Sequence, residues 1–261
     1  MEAILYALLG TMFTFLMTTL GSALVYIIKD DVKIDMQRIF LGFAAGVMVA
    51  AAVWSLLIPS MEMAQTNQQP AWLIVTAGFI LGAGFLLLLD HLIPHQHIGE
   101  DHPEGLKSQL GKNTMLVLAV TLHNIPEGMA VGLTFALAAN NNSITLAAAF
   151  ALALGIGLQN LPEGAAISLP LRQEGMSKNK SFIMGSMSGI VEPIAGVIAG
   201  LTIGFSEKIL PLLLSFAAGA MMYVVVEELI PEAQLGKHSH TGTFGFLSGF
   251  VLMMLMDIYL G

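Results

Sequence analysis

Eight long apolar runs constrain this chain more than any other feature of its sequence. They lie at about 3–28, 39–61, 71–94, 114–138, 143–171, 181–204, 209–231 and 242–260. A helix that crosses lipid needs about 20 mostly apolar residues. Backbone polar groups have no water to bond inside a bilayer, so runs of this length must satisfy themselves as helices. Of the 261 residues, 56% are hydrophobic and only 11% charged. A soluble domain carries roughly 25% charged residues, so a soluble enzyme, a disordered chain and a nucleic-acid binder are excluded. The expected class is an all-α integral membrane protein, with residues 1–261 forming one polytopic membrane domain joined by short connections. The first run has no basic flank and is too long for a signal-peptide core, so it is read as a span. There is no cysteine, which removes disulfides, thiolate metal sites and cysteine nucleophiles.

Orientation follows from the basic residues, which collect on the cytoplasmic side of membrane proteins. Lys29, Lys33, Arg38, Lys107, Lys112, Arg172, Lys178, Lys180 and Lys237 all fall on one side of the eight runs; only Lys208 falls on the other. Both termini are therefore expected outside, in a bacterial inner membrane.

Two internal repeats lie on oppositely directed runs. HNIPEGMAVGL at 123–133 matches QNLPEGAAISL at 159–169 in six of eleven positions. LGFAAGVM at 41–48 matches LSFAAGAM at 214–221 in six of eight, and both lead to a proline, Pro59 and Pro231. Repeats of opposite direction indicate inverted-topology symmetry, here arranged 3+2+3, which places a substrate site near the midplane. Small-residue runs also recur because helices pack closely in lipid, but that does not produce a repeated N-x-P-E-G.

The repeated motif carries acids where acids are costly, about 2.5–3.5 kcal/mol each on insertion scales. Glu127 and Glu163 sit inside apolar runs and Glu192 in a third, SGIVEPIAG, with no lysine or arginine mid-span to pair with them. His123 and Glu127 are four apart and share a helix face; Asn124 and Glu127, three apart, share the adjacent one. Gln159, Asn160 and Glu163 repeat this geometry. Pro126 and Pro162 lack an N–H, which frees the carbonyls of Leu122 and Leu158. Imidazole, amide oxygen and carboxylate together suit a divalent cation of the zinc, iron or manganese type.

On HNIPEG at 123–128, QNLPEG at 159–164, Glu192 and the eight runs, the chain resembles the ZIP (Zrt/Irt-like protein) family of metal transporters, in its bacterial branch. The resemblance covers essentially the whole chain. It implies the ZIP transporter fold and a two-metal centre between the fourth, fifth and sixth spans. His123, Glu127, Gln159 and Glu163 look like the primary site, with Met48 its soft ligand. Asn124, Asn160 and Glu192 would complete a second site, with Glu127 and Glu163 bridging. The resemblance further implies an elevator-like movement of spans one, four, five and six against the other four. Some members carry aspartate at the place of Asn160 and others histidine at that of Gln159. A neutral Asn160 weakens the second position, and Gln159 makes the primary one harder, which loosens strict zinc selectivity.

The expected function is uptake of divalent transition metals into the cytoplasm by alternating access, zinc foremost, with Fe2+, Mn2+ and Cd2+ as further substrates. A passive metal-selective channel on the same scaffold is one alternative; an intramembrane metalloenzyme is another. The latter needs a fixed metal with an open water position, yet H-E-x-x-H is absent. No catalytic cofactor is expected, and the partners are metal ions, the lipid bilayer and at most a second copy of the chain. Glu62, Asp90, His91, Glu227 and Glu228 stand near span ends and are candidates for metal access and release, although solvated acids also collect there. HQHIGEDH at 95–102, with His95, His97 and His102, reads either as a metal-binding tract or as a mobile solvated loop. His238 and His240 read the same way, with less support.

Overall fold

The computed structural model of the chain describes residues 2–28, 34–95, 105, 112–140, 144–204, 208–234 and 240–260. Among these residues every regular element is helical. Eight helices are long and apolar enough to cross a membrane: Glu2–Tyr26, Asp35–Thr66, Ala71–Leu92, Asn113–Ala139, Leu146–Gln173, Lys178–Leu201, Leu210–Ala233 and Thr241–Leu260.

Their ends follow capping rather than hydropathy. The fifth span starts at Leu146 because the Thr145 side chain accepts the Ala148 N–H at 3.0 Å, satisfying one of the helix's orphan donors. Ser177 caps the sixth in the same way, so that span begins at Lys178, before its apolar stretch. Between them the chain turns at Gly175, with φ +93°. There the N–H groups of Gly175 and Met176 close onto the carbonyls of Arg172 and Leu171. Such a glycine-terminated helix end requires the left-handed backbone that glycine tolerates.

Three spans depart from a plain α-helix in their interior. The second carries a π-helical segment at Ala52–Leu57 and continues through Pro59 to Thr66. The seventh carries one at Val225–Leu229. At the repeat's own offset, residue 52 corresponds to 225, so both segments start at equivalent places. The second span has one more residue between its FAAG and its proline, and its π segment is one residue longer. A π turn accommodates an inserted residue while leaving the helix on either side in register. The sixth span is interrupted at Gly189–Ile190, between the helices Lys178–Ser188 and Val191–Leu201.

The spans pack in two sets. The first lies on the fourth, fifth and sixth, and the fourth on the sixth; the second pairs with the eighth and the third with the seventh. The sets meet where the fifth span crosses the second and eighth, and where the fourth touches the seventh. Exchanging spans one to three with six to eight, and four with five, maps each main pairing onto another. The eighth-on-second pair becomes third-on-seventh, and first-on-fifth becomes sixth-on-fourth. Glycines make these approaches possible. A Cβ on Gly249 would strike the carbonyl of Phe43, and one on Gly82 would strike that of Phe216. Phe43 and Phe216 are the equivalent residues of the two FAAG runs. Close helix contact through small residues is the usual association mode in lipid, where no hydrophobic force acts between helices.

Candidate metal centre

The interruption of the sixth span follows from one proline. In an unbroken helix the N–H at position 193 would bond the Gly189 carbonyl, but Pro193 has none. The Glu192 N–H moves onto Gly189 instead, at 3.0 Å. That leaves the Ser188 carbonyl without its helical donor, and the Asn124 side-chain amide supplies one at 3.1 Å. The asparagine of HNIPEG is thereby tied by its nitrogen to the broken helix, while its Oδ1 remains buried without a hydrogen-bond partner. A Cβ on Gly128 would collide with the Glu192 backbone, so the glycine of the same motif lets the fourth span reach this point.

The fifth span brings its own motif alongside. Gln159 Nε2 donates to Glu127 Oε1 at 2.5 Å and to Asn160 Oδ1 at 2.6 Å. Asn160 Nδ2 donates to Glu192 Oε1 at 3.0 Å and to the Thr14 carbonyl at 3.3 Å. Thr18 on the first span adds a hydroxyl donor to Glu192 Oε1 at 3.1 Å. His123 Nε2 stands against a carboxylate oxygen of Glu228, from the seventh span. His123, Asn124, Glu127, Gln159, Asn160, Glu192 and Glu228 are all buried; Glu163 is half-buried.

The donors in this network leave one oxygen on each of five side chains buried and unpartnered: Asn124 Oδ1, Glu127 Oε2, Gln159 Oε1, Glu163 Oε1 and Glu192 Oε2. Leaving buried acceptors unmade is expensive, and five within one cluster are a strong departure from ordinary cores. Among the described residues no three histidine, aspartate or glutamate side chains stand together at metal-coordinating distance. The acids meet through the amides of Gln159 and Asn160. As a donor set, one imidazole, amide oxygens and carboxylates match divalent first-row cations.

The remaining candidate residues lie on the second, third and seventh spans. Met48 is buried in the apolar core of the second span, as is its repeat partner Met221 in the seventh. Glu62 is exposed on the helix after Pro59, and His91 and Glu227 are exposed at their spans. Glu228, expected at a span end, lies within the seventh span. The helix runs on to Ala233, and the π segment places this acid against His123. Asp90 is buried, accepting the Tyr223 hydroxyl at 3.1 Å.

His95 departs from the solvated-loop expectation. It is fully buried, its Nε2 2.9 Å from Asp90 Oδ1 and its Nδ1 2.8 Å from the Ile93 carbonyl. The chain folds back over the end of the third span because Asp90 and that carbonyl offer partners to both ring nitrogens. His97, His102 and His238 lie outside the described residues.

Two features escaped the sequence reading. The first span carries hydroxyls at Thr11, Thr14, Thr18 and Ser22, all buried. Their spacing of three and four is a helical stripe visible in the sequence. Asp257 is an acid inside the eighth span, accepting the Ser55 hydroxyl at 2.7 Å. Aligning Gly82 with Gly249 also aligns Asp90 with Asp257. The inverted symmetry thus relates an acid at one membrane face to an acid at the other.

Comparison with known proteins agrees with this architecture. The family model described as ZIP zinc transporter matches residues 94–257. The zinc transporter named ZIP11 of Homo sapiens is 37% identical, covering 100% of this chain and 98% of its own length. The chain belongs to the ZIP family. Bacterial members of that family are similar at the same level. The zinc transporter GufA of Myxococcus xanthus is 37% identical over 94% of each chain. The zinc transporter ZIPB of Bordetella bronchiseptica is 35% identical over 98% of this chain and 82% of its own. These relatives are named as transporters, not as enzymes, so the chain is a multi-pass metal transporter rather than an intramembrane metalloenzyme.

Proposed function

We propose that the chain imports divalent transition metals, zinc first, through two adjoining positions in the buried polar cluster. His123, Glu127, Gln159 and Glu163 supply the primary position, with Met48 as a soft ligand from the second span. Asn124, Asn160 and Glu192 supply the second, and Glu127 and Glu163 bridge the two. The observation that carries this reading is the set of five unpartnered buried oxygens on the fourth, fifth and sixth spans. They are acceptors without donors in a region where an unpaired acid costs several kcal/mol, and a dication supplies the missing positive charge. The relatives' names, as zinc transporters, support zinc as the leading substrate. Gln159 in place of a second imidazole supports a broader range that takes in Fe2+, Mn2+ and Cd2+.

The ligands other than Met48 sit on the set formed by spans one, four, five and six; Met48, and Glu228 facing His123, come from the other set. A metal handed between them changes partners when one set slides against the other, which supports alternating access rather than an open pore. The bias of basic residues supports both termini outside a bacterial inner membrane and import as the direction. A homodimer belongs to the same proposal.

Uptake into proteoliposomes with a panel of divalent ions tests this. Rates are expected to saturate with metal, and Glu127→Gln and Glu163→Gln are each expected to insert and purify normally, lose metal-induced thermal stabilisation and transport poorly. Flux that rises linearly without saturation would favour a channel. Variants that misfold yet keep metal-dependent stabilisation would make the carboxylates structural.

A further inference from the structure

The hydroxyl of Thr18 reaches from the first span into the polar cluster and donates to Glu192. Glu192 Oε1 accepts twice, from Thr18 Oγ1 at 3.1 Å and from Asn160 Nδ2 at 3.0 Å. Its Oε2 is buried and, among the described residues, has no donor within hydrogen-bond geometry. Thr18, Asn160 and Glu192 are all inaccessible to solvent. The Thr18 hydroxyl also lies 3.4 Å from the Thr14 carbonyl. It has a single proton, and the shorter bond to a carboxylate is the stronger claim on it.

The backbone makes room for this arrangement. A Cβ on Gly189 would come 3.0 Å from Glu192 Oε1 and 3.1 Å from Thr18 Oγ1. The glycine at the break in the sixth span thus leaves space for the carboxylate to fold back under the threonine. Gly164 approaches the Thr18 carbonyl on the first span's backbone so closely that a side chain there would collide with it. First and fifth spans are therefore locked at the level of Thr18, and the hydroxyl has little freedom to leave.

We propose that Thr18 is a positioning residue of the second metal position. With Asn160 it occupies one oxygen of Glu192 and presents the other as a single, oriented ligand. The inference rests on the two-position reading above and extends it to the first span. One fixed oxygen suits the low coordination number of zinc. A carboxylate free to rotate chelates with both oxygens, a mode suited to larger cations of higher coordination number. Thr18 is thus a determinant of which ion the second position prefers, although it touches no ion itself.

The test counts metal bound to the full-length protein purified into lipid nanodiscs, with Zn2+ and Cd2+ ions offered singly and in competition. Wild type is expected to bind two Zn2+ per chain. Thr18→Val and Thr18→Ala should keep the first ion and bind the second about tenfold more weakly or worse, the usual effect of losing a group that orients a ligand. Cd2+ should lose less, so the Zn2+ to Cd2+ ratio at that position falls. Thr18→Ser, which restores the hydroxyl, should recover both affinity and ratio. A purely packing role would reduce folded yield and leave the ratio in the folded fraction unchanged, and that result overturns the proposal. So does recovery absent from Thr18→Ser, or disagreement between the valine and alanine variants. Glu192→Gln separates the two levels of the argument. If it loses the second ion while Thr18→Val behaves as wild type, only the role of Thr18 falls. If wild type holds no second ion, the two-position centre falls and the role of Thr18 with it.

Discussion

The eighth span lies on the second as the third lies on the seventh, yet the two pairs carry different chemistry. In both, a glycine meets the carbonyl of a FAAG phenylalanine, a π-helical segment follows, and an aspartate accepts a hydroxyl from the partner span. The side chains on the π segments differ. Where the seventh span has Glu228, the second has Ser55. Glu228 stands against His123 of the other helix set, whereas Ser55 is occupied by Asp257 within its own set. The duplicated backbone fixes where polar groups are carried, and single residues decide whether the two helix sets are joined there.

The largest expected effect comes from making the two π segments alike. Glu228→Ser removes the buried acid facing His123 and leaves the imidazole buried without that acceptor, which is costly inside a membrane. Metal uptake in proteoliposomes is expected to fall more than tenfold while the protein still inserts. Unchanged uptake would mean that the contact between the sets has no part in transport.

Next come the glycines. Gly82→Ala and Gly249→Ala each push a methyl group into a backbone carbonyl, and overpacking of this kind costs about 1–3 kcal/mol. The equivalence predicts similar losses, read as thermal unfolding midpoints in one detergent. A large difference between the two variants would break the symmetry argument at the level of packing.

The smallest effects belong to the hydroxyls. Ser55→Ala and Tyr223→Phe each remove a hydroxyl donor to an aspartate, half-buried Asp257 and buried Asp90, at about 1 kcal/mol apiece. Comparable small shifts in melting are expected from both. A much larger effect from Tyr223→Phe would show that the surroundings of Asp90, including His95, depend on that bond and that the two aspartates are not equivalent in strength.

Much of this was legible in the chain. The eight spans follow from hydropathy, because lipid leaves a long apolar run no alternative to helix. His123, Asn124 and Glu127 share neighbouring faces by spacing alone, and Gln159, Asn160 and Glu163 repeat them. Helix ends were less legible: Thr145 and Ser177 set the starts of their spans by capping, which hydropathy does not register. The placement of His95 was not legible either, since a histidine in a charged loop gives no sign that Asp90 and the Ile93 carbonyl will hold it.

The sequence by itself determined the class, the number of spans, the inverted repeats and the residue types that gather around Glu127 and Glu163. These are local or periodic properties, written in hydropathy and in spacings of three and four. Only the tertiary structure decided which oxygens are used and which are left over. Asn124 spends its nitrogen on a carbonyl 64 residues away, and Thr18 reaches an acid 174 residues away. Glu228 meets His123 because a π segment and the crossing of two helix sets bring it there. Such pairings depend on which helix faces another and at what rotation. A π turn or one missing N–H sets that geometry locally, and no spacing within a single span encodes it.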